Sequence, residues 1–194
     1  MNLDHAIWWH VYPLGAVGAP IHDHNQDEPV NRLVRLEAWL DYAVELGCSG
    51  LLLGPVFAST SHGYDTVDYF RIDPRLGDDA AFDHLIEQAG RRGLRVLLDG
   101  VFNHVGAAHP LVAEARAAGH GLVRLQRRNG RLEPVPWEGH GDLALLDHEN
   151  PGVADLVTNV MLHWLRRGIA GWRLDVAYAV PSGFWARVID RVRT

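Results

Sequence analysis

The chain has 194 residues, 47% of them hydrophobic, enough for a real core in one globular unit. Its formal net charge of −6, with no basic run, argues against nucleic acid or an anionic membrane as partner, since both select a positive patch. All 18 basic residues are arginine, which removes Schiff-base chemistry on a lysine.

The opening residues 1–5 lack a charged leader, and no apolar run is long enough to span a bilayer, so a soluble, cytoplasmic protein is expected. Residues 6–12 are apolar and aromatic and end at Pro13, as a first buried strand would. A Gly/Pro-rich loop follows to about Pro29. Over residues 31–46, Leu33, Leu36, Leu40, Ala43 and Val44 share one helical face, and Gly47 stops the helix. The single cysteine, Cys48, has no internal disulfide partner and is expected to pack beside the second strand, residues 50–53. After a Ser/Gly/Asp-rich loop, residues 81–92 repeat the helical spacing at Phe82, Leu85, Ile86 and Ala89, and residues 94–98 form a third strand ending at Asp99. Residues 105–150 lose that rhythm and read as an excursion with its own small structure. Pro151 opens a helix with Val153, Leu156, Val157, Val160, Met161 and Trp164 on its apolar face. A strand at 169–176 and a helix at 184–192 complete the chain.

Strand followed by helix, four times, means parallel strands with helical crossovers. Two architectures fit: an open doubly wound sheet or a (β/α) barrel. No glycine fingerprint follows the first strand, which counts against the first. Polar residues gather after every strand, at Tyr12, His62 to Asp68, Asp99 with Asn103 and His104, and Asp175, where a barrel builds its active site. A full barrel needs about 250 residues. The expectation is therefore an α/β fold holding the first four βα units of a barrel, with residues 1–104 and 151–194 in the barrel and 105–150 inserted after the third strand.

In the last strand Arg173 and Asp175 stand at i and i+2, so they share a face. A guanidinium there holds a carboxylate ionised and aimed, which suits either a glycosidase nucleophile or a structural ion pair. Two further segments bear on the choice: Gly63-Tyr64-Asp65-Thr66, with an aromatic beside a carboxylate, and Asp99-Gly100-Val101-Phe102-Asn103-His104. Aromatics stack on sugar faces, and Asp, Asn, His and Arg hydrogen-bond sugar hydroxyls, so the combination has the chemistry of a sugar site.

From the first strand to the last residue, the order of these segments resembles the α-amylase family of glycoside hydrolases, and most closely its neopullulanase, cyclomaltodextrinase and maltogenic amylase group. The resemblance implies a retaining mechanism on α-linked glucans or maltooligosaccharides, with no required cofactor. Asp175 matches the nucleophile and Arg173 the residue that orients it. His104 matches a hydrogen-bond donor to the sugar, Tyr64 the ring beneath it, and Asp65 and Asp99 acidic residues supporting the site. Asn103 matches a position that often binds calcium, although Leu145 replaces an aspartate often found with it.

The family's general acid, a glutamate from the fifth strand, has no counterpart here, so the isolated polypeptide is expected to show negligible hydrolase activity. Tyr178 and Ala179 replace the polar pair that follows the nucleophile in typical members. The rival reading is a half-barrel module that binds sugar or associates, as a homodimer or with a second half-barrel, through its unpaired strand edges. His22-x-His24 is a chance pair in a histidine-rich chain more readily than a zinc site. Trp39 and Trp164 are expected in the core, and Arg91-Arg92, Arg127-Arg128 and Arg166-Arg167 as solvated charges.

Overall fold

The computed structural model describes residues 5–22 and 30–194. In chain order it contains β1 (Trp8–Val11), the single-turn α1 (Pro13–Ala16), α2 (Leu33–Glu37), α3 (Leu40–Glu45), β2 (Gly50–Leu53), β3 (Phe57–Ser59) and β4 (Thr66–Ile72). Next come α4 (Asp79–Arg91), β5 (Arg95–Gly100), β6 (His104–Gly106) and α5 (Pro110–Ala118). The excursion continues through β7 (Leu125–Arg128), β8 (Arg131–Pro134), β9 (Pro136–Trp137) and β10 (His140–Leu145), before α6 (Pro151–Arg166), β11 (Gly171–Leu174) and α7 (Ser182–Arg193).

The organising layer is a parallel sheet in the order β1-β2-β5-β11, open at both edges among the described residues. Its register puts Val11, Leu53, Leu98 and Trp172 in one row and His10, Leu52, Leu97 and Gly171 in the next. Successive rows face opposite ways. Val11, Leu53 and Leu98 are buried in the core, which also takes Phe82 of α4 and Trp164 of α6. Leu52 and Leu97 on the other face are only half-buried. Asp99 and Arg173, paired across β5 and β11, fall on that second face, one step beyond Leu97 and Gly171. Pairing and pleat thus place the charged cluster at the C-terminal end of the strands, away from the helix-covered core.

Local sequence explains the helix starts. Asp78 accepts a hydrogen bond from the Ala81 amide at 2.8 Å to cap α4, and Asn150 accepts from Gly152 at 2.9 Å, with Pro151 in the first turn of α6. Trp164 is fully buried and donates its indole N–H to the Tyr69 carbonyl at 2.8 Å, so it belongs to the core as expected. No helix among the described residues is long and apolar enough to cross a membrane.

Several expectations change. The helix over 31–46 is two short helices, because the Trp39 amide bonds back only three residues to Leu36, in a tightened turn. Trp39 and Val44 consequently lie outside the core, at 52% and 44% exposed. The segment read as a Ser/Gly/Asp loop contains the antiparallel hairpin β3–β4, which buries Thr66, Tyr69 and Ile72. Arg167 is no solvated charge: it bridges Asp79 at 2.6 Å and Asp83 at 2.8 Å, and its guanidinium lies over the Trp164 ring, tying α6 to α4. The excursion has strands and a helix, yet Val105, Val112, Ala115, Val123, Ala144 and Leu146 join the main core and form no separate one. His24 lies outside the described residues.

Candidate active site

Arg173 sits between two carboxylates. Its NH1 donates to Asp99 Oδ2 at 2.5 Å and its NH2 faces Asp175 Oδ1 at 3.1 Å. The sequence suggested only the second contact; the first follows from the register that sets Arg173 beside Asp99 across neighbouring strands. Asp99 is fully buried, and burial pushes its carboxyl up to about 6 even though Arg173 pulls the other way. Asp175 is 9% exposed, and its amide donates to the Gly100 carbonyl at 3.0 Å, which fixes where the strand delivers its side chain.

Tyr64 comes from the turn between β3 and β4. Burial raises its hydroxyl pKa, with further contributions from Asp99 and Asp175, and Arg173 opposes them, so the phenol end lies inside this charged group. Asp65 does not join it. Its Oδ2 accepts from the Ser61 hydroxyl at 2.8 Å and its Oδ1 from the Gly63 amide at 3.1 Å, so this buried carboxylate braces the turn that carries Tyr64. Gly106 lets that turn approach β6: a Cβ there would lie 2.5 Å from the Asp65 carbonyl oxygen.

His104 opens β6 and is buried. Asn103 Nδ2 lies 3.1 Å from His104 Nδ1; with the amide donating in that contact, the ring proton is carried on Nε2. Nε2 is buried without a hydrogen-bond partner among the described residues. Burial lowers the ring's pKa, while Asp175 and the Tyr64 backbone raise it, so the imidazole is neutral near pH 7. A buried, unpaired N–H beside a carboxylate is costly in an empty protein and useful to a hydroxyl-bearing ligand.

At the position matching a calcium ligand, Asn103 turns its Nδ2 toward His104 Nδ1, and Leu145 offers no side-chain oxygen beside it. Of the residues singled out from sequence, the fold therefore assembles Arg173, Asp175, Asp99, His104 and Tyr64, with Asp65 and Asn103 as braces behind them.

One backbone feature beside this cluster was invisible in the sequence. Val176, directly after Asp175, sits at φ 39°, ψ 39°, a left-handed conformation that is an outlier for a β-branched residue and costs about 1–2 kcal/mol. Strain of this kind collects where a side chain must be aimed. Val176→Asn, which tolerates the conformation, is expected to raise stability by about 1 kcal/mol. A thermal melting curve that does not move upward would show that no strain is stored there.

A carboxylate, guanidinium, imidazole and phenol cluster thus lies at the C-terminal end of an open parallel sheet, where (β/α) barrels place their sites. Residues 35–127 match the alpha amylase catalytic domain. An intracellular maltogenic amylase of Bacillus subtilis (strain 168) is 37% identical over 163 residues, covering 80% of this chain and 28% of that protein. Neopullulanase 2 of Thermoactinomyces vulgaris is 36% identical over 160 residues, covering 75% of this chain and 27% of its own. Among solved structures, a cyclic α-maltosyl-(1→6)-maltose hydrolase from Arthrobacter globiformis in complex with maltose superposes with a TM-score of 0.82 at 27% identity, over 97% of this chain and 48% of that one. A debranching enzyme from Nostoc punctiforme gives 0.80 at 29% identity, over 97% and 45%. The chain belongs to the α-amylase family of glycoside hydrolases. It spans a little over a quarter of the length of the curated relatives it matches and under half of the solved chains.

Proposed function

We propose that this chain carries the nucleophile side of a retaining α-glucan glycosidase or transglycosylase site, built on the first four βα units of a barrel with residues 105–150 inserted after its third strand. Asp175 attacks the anomeric carbon, Arg173 holds its carboxylate in line, His104 donates Nε2–H to a sugar hydroxyl, and Tyr64 and Asp99 shape the pocket around the ring. The observation that carries this reading is the single guanidinium gripping both Asp99 and Asp175 beside an imidazole N–H left unpaired. Relatives whose names specify maltogenic amylase and neopullulanase support α-linked maltooligosaccharides as the substrate class, and an intracellular relative supports a cytoplasmic setting.

Retaining hydrolysis also needs a carboxylic acid about 5 Å from the nucleophile to protonate the leaving oxygen. Among the described residues Asp99 is engaged with Arg173 and Asp65 with its own turn, so neither is free for that task. Turnover of maltooligosaccharides by this chain alone is accordingly expected to be negligible. α-Maltosyl fluoride separates the two halves of the mechanism, because fluoride departs without protonation. The Asp175 carboxylate forms a bond to C1 as the C–F bond breaks, and a covalent ester accumulates. Mass spectrometry should find that ester on Asp175 and lose it in Asp175→Asn. An unmodified chain, or an adduct that survives the substitution, would sink the assignment.

The open edges at β1 and β11 favour a second reading, in which the module associates with a like half and binds sugar without catalysis. Sedimentation showing a dimer, together with maltose binding and no covalent adduct, would select it.

A further inference from the structure

The excursion reaches the site through one side chain. β9 lies beside β10, which pairs with β6, and across this small sheet the indole of Trp137 stacks on the imidazole of His104, with ring centroids 6.1 Å apart and planes within 14°. Trp137 is half-buried, so part of the indole remains open to solvent. Its backbone is tightly held. Trp137 pairs with His140 across a two-residue turn whose central residues, Glu138 and Gly139, both have positive φ, 47° and 83°. That is the hairpin turn whose twist matches the flanking strands, and it keeps its form although its first position carries glutamate, where asparagine would be easier.

His104 is thereby fixed from several directions. Asn103 approaches Nδ1, the Trp137 indole lies nearly parallel to the ring with its centroid 6.1 Å away, and Asp175, His62, Asp142 and the Tyr64 backbone supply the charges and dipoles around it. What remains is Nε2, buried and unpaired. Without the indole the imidazole could turn about its side-chain bonds, and the direction of its one unused donor would be lost.

We propose that Trp137 is a positioning residue that clamps His104 so that Nε2–H faces a glucosyl hydroxyl, and that the open part of its indole walls the subsite on the excursion side. The inserted segment then takes part in sugar recognition directly. This rests on reading the cluster as a sugar site, and the test separates the two.

The full chain is titrated with maltose by calorimetry, alongside Trp137→Leu and Trp137→Phe, and the His104 ring protons are followed by NMR. Leucine fills the space without a ring current; phenylalanine keeps a smaller platform. Leucine should lower maltose affinity about tenfold or more and move the His104 ring protons out of the indole's shielding, whereas phenylalanine should stay within about threefold of the unaltered chain. Unchanged affinity in the leucine variant would overturn the proposal, whether or not the ring protons move. If the unaltered chain binds no maltose, the sugar-site reading fails by itself; a His104 ring whose NMR contacts to Asn103 then weaken in Trp137→Leu sustains the clamp, and one whose contacts to Asn103 are unchanged overturns it. Should the leucine variant fail to fold, the phenylalanine variant decides, since a loss well beyond threefold contradicts the platform role.

Discussion

Arg75→Met is expected to destabilise the fold by about 3–5 kcal/mol, the usual cost of leaving one member of a buried ion pair alone. Asp73 and Arg75 have side chains only 1% exposed, and they meet bidentately, Nε to Oδ1 at 2.8 Å and NH2 to Oδ2 at 2.6 Å. The guanidinium also donates to the carbonyls of Pro20, Ile21 and Ser61 and to the Ser59 hydroxyl, so every donor direction is used. One side chain thereby ties the segment after β1, the β3–β4 hairpin and the turn bearing Tyr64 into one unit. Methionine fills much of the same volume but leaves Asp73 buried with its charge and the carbonyls of Pro20, Ile21 and Ser61 short of a donor. In a chain of this size each kcal/mol moves the melting temperature by about 2–4 °C, so a fall of roughly 6–20 °C is expected. Adding Asp73→Asn should recover only part of it, since the backbone carbonyls stay unpaired. A melting point within a degree or two of the unaltered protein would mean that this hub contributes little.

That hub also marks what sequence reading could reach. The βα rhythm was legible because α4 and α6 are long runs of one period, ended by Gly93 and Gly168, with Pro151 opening the second, while β2 and β5 are short apolar runs between such helices. Arg173 and Asp175 stood out because two charges in an apolar strand demand an explanation. Nothing in the spacing of Asp73 and Arg75 distinguishes them from the many Asp and Arg of surface loops; only a hairpin folding over them creates the burial. The same holds for the bond from Arg173 to Asp99, which depends on a register between strands more than seventy residues apart. Trp39 misled because helical spacing says which residues share a face, not whether the helix runs unbroken to present it. Trp137 carried no signal, since its significance is the ring it lies against, and residues 105–150 show no period that foretells the pairing of β6 with β10.

Asp99→Asn should flatten the pH dependence of stability between about pH 4 and pH 6. The folded-state pKa of Asp99, about 6, lies above the roughly 3.9 of an unfolded chain. Across that window the folded protein keeps a proton that the unfolded chain has released, so raising the pH favours unfolding. The contribution is fully present below pH 4 and lost as pH passes 6, and two pH units correspond to roughly 3 kcal/mol. Asparagine does not titrate, so the variant should lack this slope. At neutral pH the balance is closer: the substitution removes the cost of a buried charge but also the charged acceptor of Arg173, worth about 1.5–3 kcal/mol. The informative quantity is therefore the difference between the two unfolding free energies as a function of pH, obtained from urea titrations at half-unit steps. It should move in favour of the variant by about 3 kcal/mol from pH 4 to pH 6.5. Parallel curves would show that Asp99 is ionised throughout and that the guanidinium outweighs burial. On the proposed reading of Asp175, the same substitution should slow ester formation from maltosyl fluoride, because Arg173, left with an uncharged acceptor at position 99, is held less firmly beside Asp175. If burial is what lifts Asp99, stability below pH 6 and nucleophile alignment above it draw on one carboxylate in opposite protonation states, and both should change together in this variant.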